Sequence, residues 1–116
     1  MFSPLNISSR ITLHDGNSIP LFGLGVWAAQ SGKETFDAVF SALKTGYRHF
    51  DTAEMYGNEK DVGAAVNDSG LKREEVFVTT KLWDSGLGYD HAQNQINNFN
   101  IWKKFADELN SKQVFT

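Results

Sequence analysis

The chain has no cysteine, two prolines, two methionines and no long uninterrupted apolar run. Without cysteine there are no disulfides and no thiolate metal sites, although the compartment stays open. Without a membrane-length apolar stretch, a spanning helix is not expected. Basic runs are also missing, and the net charge of −3 argues against a nucleic-acid partner. Residues 1–10 have neither a basic head nor an apolar core, so no secretory signal is expected and the cytoplasm is the default location. Asn6-Ile7-Ser8 and Asn67-Asp68-Ser69 match the glycosylation triplet, and outside the secretory route such matches read as chance. Repeats and low-complexity tracts are absent, though asparagine is dense between 94 and 100.

What is present is enough for one globular domain with a modest core. Of 116 residues, 41% are hydrophobic and 22% charged. Residues 11–22 read as a hairpin. Ile11 and Leu13 alternate with polar residues, Asp15-Gly16-Asn17 supplies the turn, and Ile19-Pro20-Leu21 returns. Gly23 to Trp27 reads as a short strand. Ser31-Gly32-Lys33-Glu34 has the form of a capping box with Ser31 as N-cap, opening a helix over 32–45. Phe36, Val39, Phe40 and Leu43 share one face of that helix, and Gly46 stops it. A strand follows over 47–53. Asn58 is read as the cap of a helix over 58–69, with Val62, Ala65 and Val66 inward and Gly70 as its stop. A third strand covers 76–80. Alternation of strand and helix predicts right-handed crossovers and a parallel sheet. From about 91 to 110, Ile96, Phe99, Trp102, Phe105 and Leu109 recur at helical spacing, which predicts an amphipathic C-terminal helix.

Gly23-Leu24-Gly25-Val26-Trp27-Ala28 fits the G-x-G-x-x-A dinucleotide fingerprint, with Asp51 as a ribose-binding acid. In a Rossmann unit the helix should begin inside the glycine run, where its N-terminus meets the pyrophosphate. Here the helix signal comes three residues later. The plainer alternative is that the glycines serve close packing and a turn.

A second constellation is more specific. Asp51 ends one strand, Tyr56 follows five residues later, and Lys81 lies just beyond the next strand. Reduction of a carbonyl needs a hydride and a proton for the developing alkoxide. A free phenol, with a pKa of about 10, is a weak acid at neutral pH, and a neighbouring cation makes it a stronger one. An aspartate can hold that lysine in place. Taken singly, an Asp–Lys pair is most often a salt bridge, and a tyrosine is most often packing. Each of the three lies at or just beyond the C-terminal end of a strand, where barrel active sites form.

Gly46-Tyr47-Arg48-His49-Phe50-Asp51-Thr52-Ala53, then Glu59 and Val62-Gly63, followed by Thr80-Lys81-Leu82-Trp83, closely resembles the signature motifs of the aldo-keto reductase family. The resemblance runs from about residue 11 to residue 93. It implies the family's (β/α)8 TIM barrel, NADPH as cofactor, and small aldehydes or ketones as substrates. By resemblance Tyr56 is the general acid–base, Lys81 tunes it, and Asp51 orients Lys81 and touches the nicotinamide ribose. Gly25, Val26 and Trp27 are implied at the cofactor. Trp27, Met55, Tyr56 and Trp83 are implied around the substrate. Val26 departs from the family's usual threonine, and valine cannot supply that hydroxyl. His49 matches the signature and is read as structural.

An eight-unit barrel takes about 250 residues. The chain (1–116) is therefore expected to be one incomplete domain: a basal hairpin over 11–22, about three β/α units over 23–89, and a divergent helical tail over 90–116. The family's catalytic histidine belongs to a fourth strand, and no histidine follows His91. Trp102-Lys103-Lys104-Phe105 resembles a later Trp-Lys helix of the family, as an internal deletion would produce. The chain alone is expected to be a weak or inactive reductase. The alternatives are a non-catalytic isoform or pseudoenzyme acting as an interaction module, and the Rossmann-like binding domain. A partial parallel sheet leaves open edges, and self-association through them is the expected protein contact.

Overall fold

A computed structural model describes residues 4–83 and 88–94. Strand β1 (Arg10–Thr12) pairs antiparallel with β2 (Ser18–Pro20) as the expected hairpin. Its turn is closed by the Leu13 amide on the Asn17 carbonyl and by the Asp15 carboxylate, which accepts from the Asn17 amide. Strands β3 (Leu24–Gly25), β4 (His49–Asp51) and β5 (Phe77–Thr79) form a parallel sheet in that order. Leu24 pairs with Phe50 and Phe50 with Val78; Gly25 pairs with Asp51 and Asp51 with Thr79. Helices α1 (Lys33–Thr45) and α2 (Glu59–Asp68) form the crossovers. The strands are shorter than the apolar runs suggested, because the ladder holds only where the register does.

Successive strand residues point to opposite faces of a sheet. Phe50, fully buried, packs with Val26, Val39, Leu43, Val62, Val66 and Val76, while Leu24 and Val78 lean on the same cluster. This face is covered by α1 and α2. On the other face His49 and Asp51 are half-buried. The His49 ring lies edge-on to Phe77, and its nitrogens face the Pro20 carbonyl at 3.3 Å and Thr79 Oγ1 at 2.9 Å. Gly23 belongs to this crowded end: a Cβ there would meet the His49 carbonyl oxygen at 2.7 Å.

Both helix starts differ from expectation. The N-cap of α1 is Gly32, and no side chain caps it. The Ser31 hydroxyl donates instead to Asp61 Oδ2 at 3.0 Å, the same oxygen that accepts the Gly32 amide at 2.8 Å. A carboxylate from α2 thus replaces the local capping box, and Glu34 accepts from the Gln30 amide. Asn58 stands at the N-cap position of α2 but makes no side-chain cap bond. Gly46 ends α1 in the left-handed conformation, φ 117°, as expected. The Rossmann alternative is corrected here: α1 begins at Lys33, beyond the glycine run, so no helix N-terminus faces those glycines.

Residues 89–94 are helical, in line with the first turn of the expected tail helix. Ile96, Phe99, Trp102, Phe105 and Leu109, and the Trp102–Phe105 resemblance, lie outside the described residues. Among the described residues, no helix is long and apolar enough to cross a membrane.

Asn58 is fully buried. Its amide nitrogen donates to the Val26 carbonyl at 3.0 Å and the Ala29 carbonyl at 3.1 Å, and its oxygen accepts from Thr52 Oγ1 at 2.7 Å. Asn58→Ala leaves these buried groups without their partner and is expected to lower unfolding free energy by about 2–4 kcal/mol. Urea unfolding checks this, with Lys60→Ala on the exposed side of α2 expected to stay within about 0.5 kcal/mol of the parent.

Candidate active site

Asp51 is the last residue of β4, and alternation turns its side chain away from the helices. Lys81 lies two residues beyond β5. Parallel pairing in register brings the two ends together, and Lys81 Nζ donates to Asp51 Oδ1 at 2.6 Å and to the Thr52 carbonyl at 2.8 Å. The same ammonium lies 5.2 Å from the centroid of the Tyr56 ring. Tyr56 closes a single 3-10 turn, Glu54–Tyr56, that follows β4 and stops at Gly57 in the left-handed region. Acid, cation and phenol thus meet at the C-terminal end of the sheet.

These groups border a cleft of about 260 Å³ lined by Ala53, Met55, Tyr56, Lys81, Leu82 and Trp83. Met55, Leu82 and Trp83 leave apolar surface exposed there. Thr80, next to Lys81, donates its hydroxyl to Glu59 Oε2 at 2.6 Å, tying the end of β5 to the start of α2.

Desolvation is the largest single influence on Lys81 and pulls its pKa down. The hydrogen bond to Asp51 and the Asp51 charge oppose it, and Tyr56 acts in the same direction as Asp51. Together they hold Lys81 above the ordinary value of 10.5. The pair is half-exposed, with side-chain exposures of 48% for Lys81 and 42% for Asp51, so its contribution to stability is small.

The structure does not bring every expected residue to the cleft. Val26 turns to the helix-covered face and is 2% exposed, so its side chain belongs to the core and only its backbone is near the sheet end. The Val26 amide donates to the Asp51 carbonyl at 3.1 Å. Trp27 is 73% exposed and does not line the cleft. It sits in a turn closed by the Ala29 amide on the Val26 carbonyl, with Ala28 at φ 67°. Gly25 is exposed beside Asp51, and a Cβ built there meets nothing within 4 Å. Ala53 and Leu82 line the cleft, and Glu54 accepts the Trp83 amide beside it, without having been singled out. The signal for Ala53 and Glu54 was their place between Asp51 and Tyr56, and for Leu82 its place between Lys81 and Trp83. Among the described residues, no group of three acidic or histidine side chains could hold a metal ion.

A sequence profile of the aldo/keto reductase family matches residues 21–106. The chain belongs to the aldo-keto reductase family. The match begins and ends later than the motifs alone suggested, extending past residue 93 into the tail. An aldo-keto reductase from Mycolicibacterium smegmatis is 55% identical over 84 residues, covering 72% of this chain and 30% of that protein. Glycerol 2-dehydrogenase (NADP(+)) from Saccharomyces cerevisiae is 51% identical over 84 residues, covering 72% of this chain and 27% of the relative. A crystal structure of an aldo/keto reductase from Brucella melitensis superposes with a TM-score of 0.74 at 45% identity, covering 90% of this chain and 38% of the other. The chain therefore spans about 30% of the length of the curated relatives it matches, and its α/β fold is part of a TIM barrel. Its basal hairpin and three parallel strands make up the described part of that barrel.

The raised Lys81 value sets a pH dependence. A cation whose folded pKa lies above its ordinary value contributes stability fully below 10.5, and loses it as pH rises through the higher folded value. Lys81→Met should remove this dependence. Compared by urea unfolding, the parent should lose stability relative to the variant as pH rises above 10.5.

Proposed function

We propose that this span carries the proton-transfer half of an NADPH-dependent reduction of aldehydes and ketones to alcohols. The observation that carries the reading is the Lys81 ammonium, fixed by Asp51 and the Thr52 carbonyl while lying beside the Tyr56 ring. A carbonyl in the cleft would place its oxygen near the Tyr56 hydroxyl. As that oxygen gains negative charge, Tyr56 gives it a proton, and the Lys81 cation stabilises the phenolate left behind. Asp51 keeps Lys81 in place and supplies a polar contact for the cofactor's ribose. Met55, Leu82 and Trp83 form an apolar wall suited to an uncharged, preferably aromatic, carbonyl compound.

The residues present suit a nicotinamide cofactor. The bare backbone of Gly25, with open space above it beside Asp51, leaves room for a flat ring to approach. Val26 contributes backbone alone, and Trp27 lies on the turn beyond it. Bound NADPH would supply the hydride. The yeast relative's NADP(+) dependence supports this choice of cofactor.

By itself the span is proposed to be a weak catalyst, because it covers about 30% of the matched relatives and positioning contributes several kcal/mol to catalysis. The outer edges of β3 and β5 have no strand neighbour among the described residues, and they support self-association between copies of the chain. The setting we propose is the cytoplasm.

The test is NADPH oxidation by the purified chain with a reactive aromatic aldehyde. Slow turnover that Tyr56→Phe lowers by about a hundredfold or more is expected. Turnover unaffected by Tyr56→Phe overturns the assignment. A sizing column is expected to show species larger than the monomer, and a strictly monomeric profile counts against the edge-pairing proposal.

A further inference from the structure

We propose that Glu54 is the positioning residue for the apolar wall of the cleft, holding the Leu82–Trp83 segment where an aromatic carbonyl compound or its alcohol can pack on it. The proposal rests on the reductase reading of the cleft and adds a residue to it. Glu54 opens the 3-10 turn after β4. Its backbone amide donates to the Lys81 carbonyl at 3.0 Å, and its carboxylate Oε2 accepts the Trp83 amide at 3.0 Å. The two bonds bracket Leu82 and join the loop after β4 to the loop after β5.

That segment needs such a clasp. The β5 ladder ends at Thr79, so residues 81–83 have no strand partner among the described residues. Leu82 and Trp83 keep 44% and 41% of their surface exposed, so burial alone does not fix them. Lys81 is held by Asp51 and Thr52, but the Lys81 bonds fix an ammonium and say little about where the chain goes next. A carboxylate accepting a backbone N–H is among the stronger hydrogen bonds available at such a place. Glu54 is also half-buried and is not a member of either ion pair found among the described residues, so its acceptor serves the Trp83 amide. Alanine at 54 would keep the backbone bond and lose the side-chain one. Glutamine keeps an acceptor oxygen and loses only the charge.

The experiment compares the isotope-labelled chain with Glu54→Ala and Glu54→Gln, using the Phe50 and Val62 resonances to verify an unchanged core. In Glu54→Ala the Trp83 amide should exchange about tenfold faster than in the parent. Benzyl alcohol binding, followed on the Trp83 indole N–H signal, should weaken about tenfold in the same variant. Glu54→Gln should restore both to within about threefold, a rescue that a general loss of structure would not give. Unchanged Trp83 exchange in Glu54→Ala, equal benzyl alcohol binding by Glu54→Ala, or no measurable binding by the parent overturns the proposal. NADPH-dependent turnover is measured in parallel. If turnover is unaffected by Tyr56→Phe while the Glu54 dependence holds, the reductase reading fails and the clasp stands. If the parent turns over and Glu54→Ala changes neither Trp83 signal, the clasp alone fails.

Discussion

The buried amide of Asn58 is the constraint on which the sheet end depends. Three stretches that are far apart in the chain converge on it: the turn after β3, through the carbonyls of Val26 and Ala29; the end of β4, through the Thr52 hydroxyl; and the start of α2, where Asn58 itself sits. A buried polar group is stable only when its bonds are made, so the amide forces these stretches into one arrangement. Thr52 is thereby fixed by its side chain, and its carbonyl is free to accept from Lys81. The site's cation is oriented partly by a residue that never touches the cleft.

The sheet's two-residue alternation divides the labour. Phe50 and Val78, with Val26, bury into the helices, and the intervening His49 and Asp51 face the other way. Core packing and the candidate site are thus built from neighbouring residues of one strand. The short stretch Phe50-Asp51-Thr52 supplies in turn a core aromatic, a partner for Lys81 and a bond to Asn58. The helices are coupled by a similar economy, in which the Asp61 carboxylate of α2 accepts from the amide of Gly32, the N-cap residue of α1, and from the Ser31 hydroxyl. Closing an N-terminus from a neighbouring helix locks the two helices together in a way a local capping box would not.

Much of this was legible in the residues. The order of strands and helices, the parallel pairing, the stop at Gly46 and the meeting of Asp51, Tyr56 and Lys81 all follow from local punctuation and crossover handedness. What was misjudged follows one rule: a polar side chain can satisfy its local pattern or a distant partner, and the sequence displays only the local choice. Ser31 and Asn58 both read as caps, and both bond instead to partners about thirty residues away. Val26 was implied at the cofactor by the family resemblance, and period-two alternation from Leu24 sends its side chain to the core, leaving only its backbone at the sheet end.

The sequence by itself determined the family and the chemical identities at the sheet end, because these rest on residue types at fixed short spacings around Asp51 and Lys81. Tertiary structure decided which of those residues share a cleft. Lys81 reaches Asp51 across thirty positions only because β4 and β5 pair in parallel with Asp51 opposite Thr79. Trp27 stays on an exposed turn, and Glu54 reaches the Trp83 amide. Such placements depend on register, on which face a strand residue takes, and on where two loops approach each other. Those are properties of the packed sheet, and no local run of residues carries them.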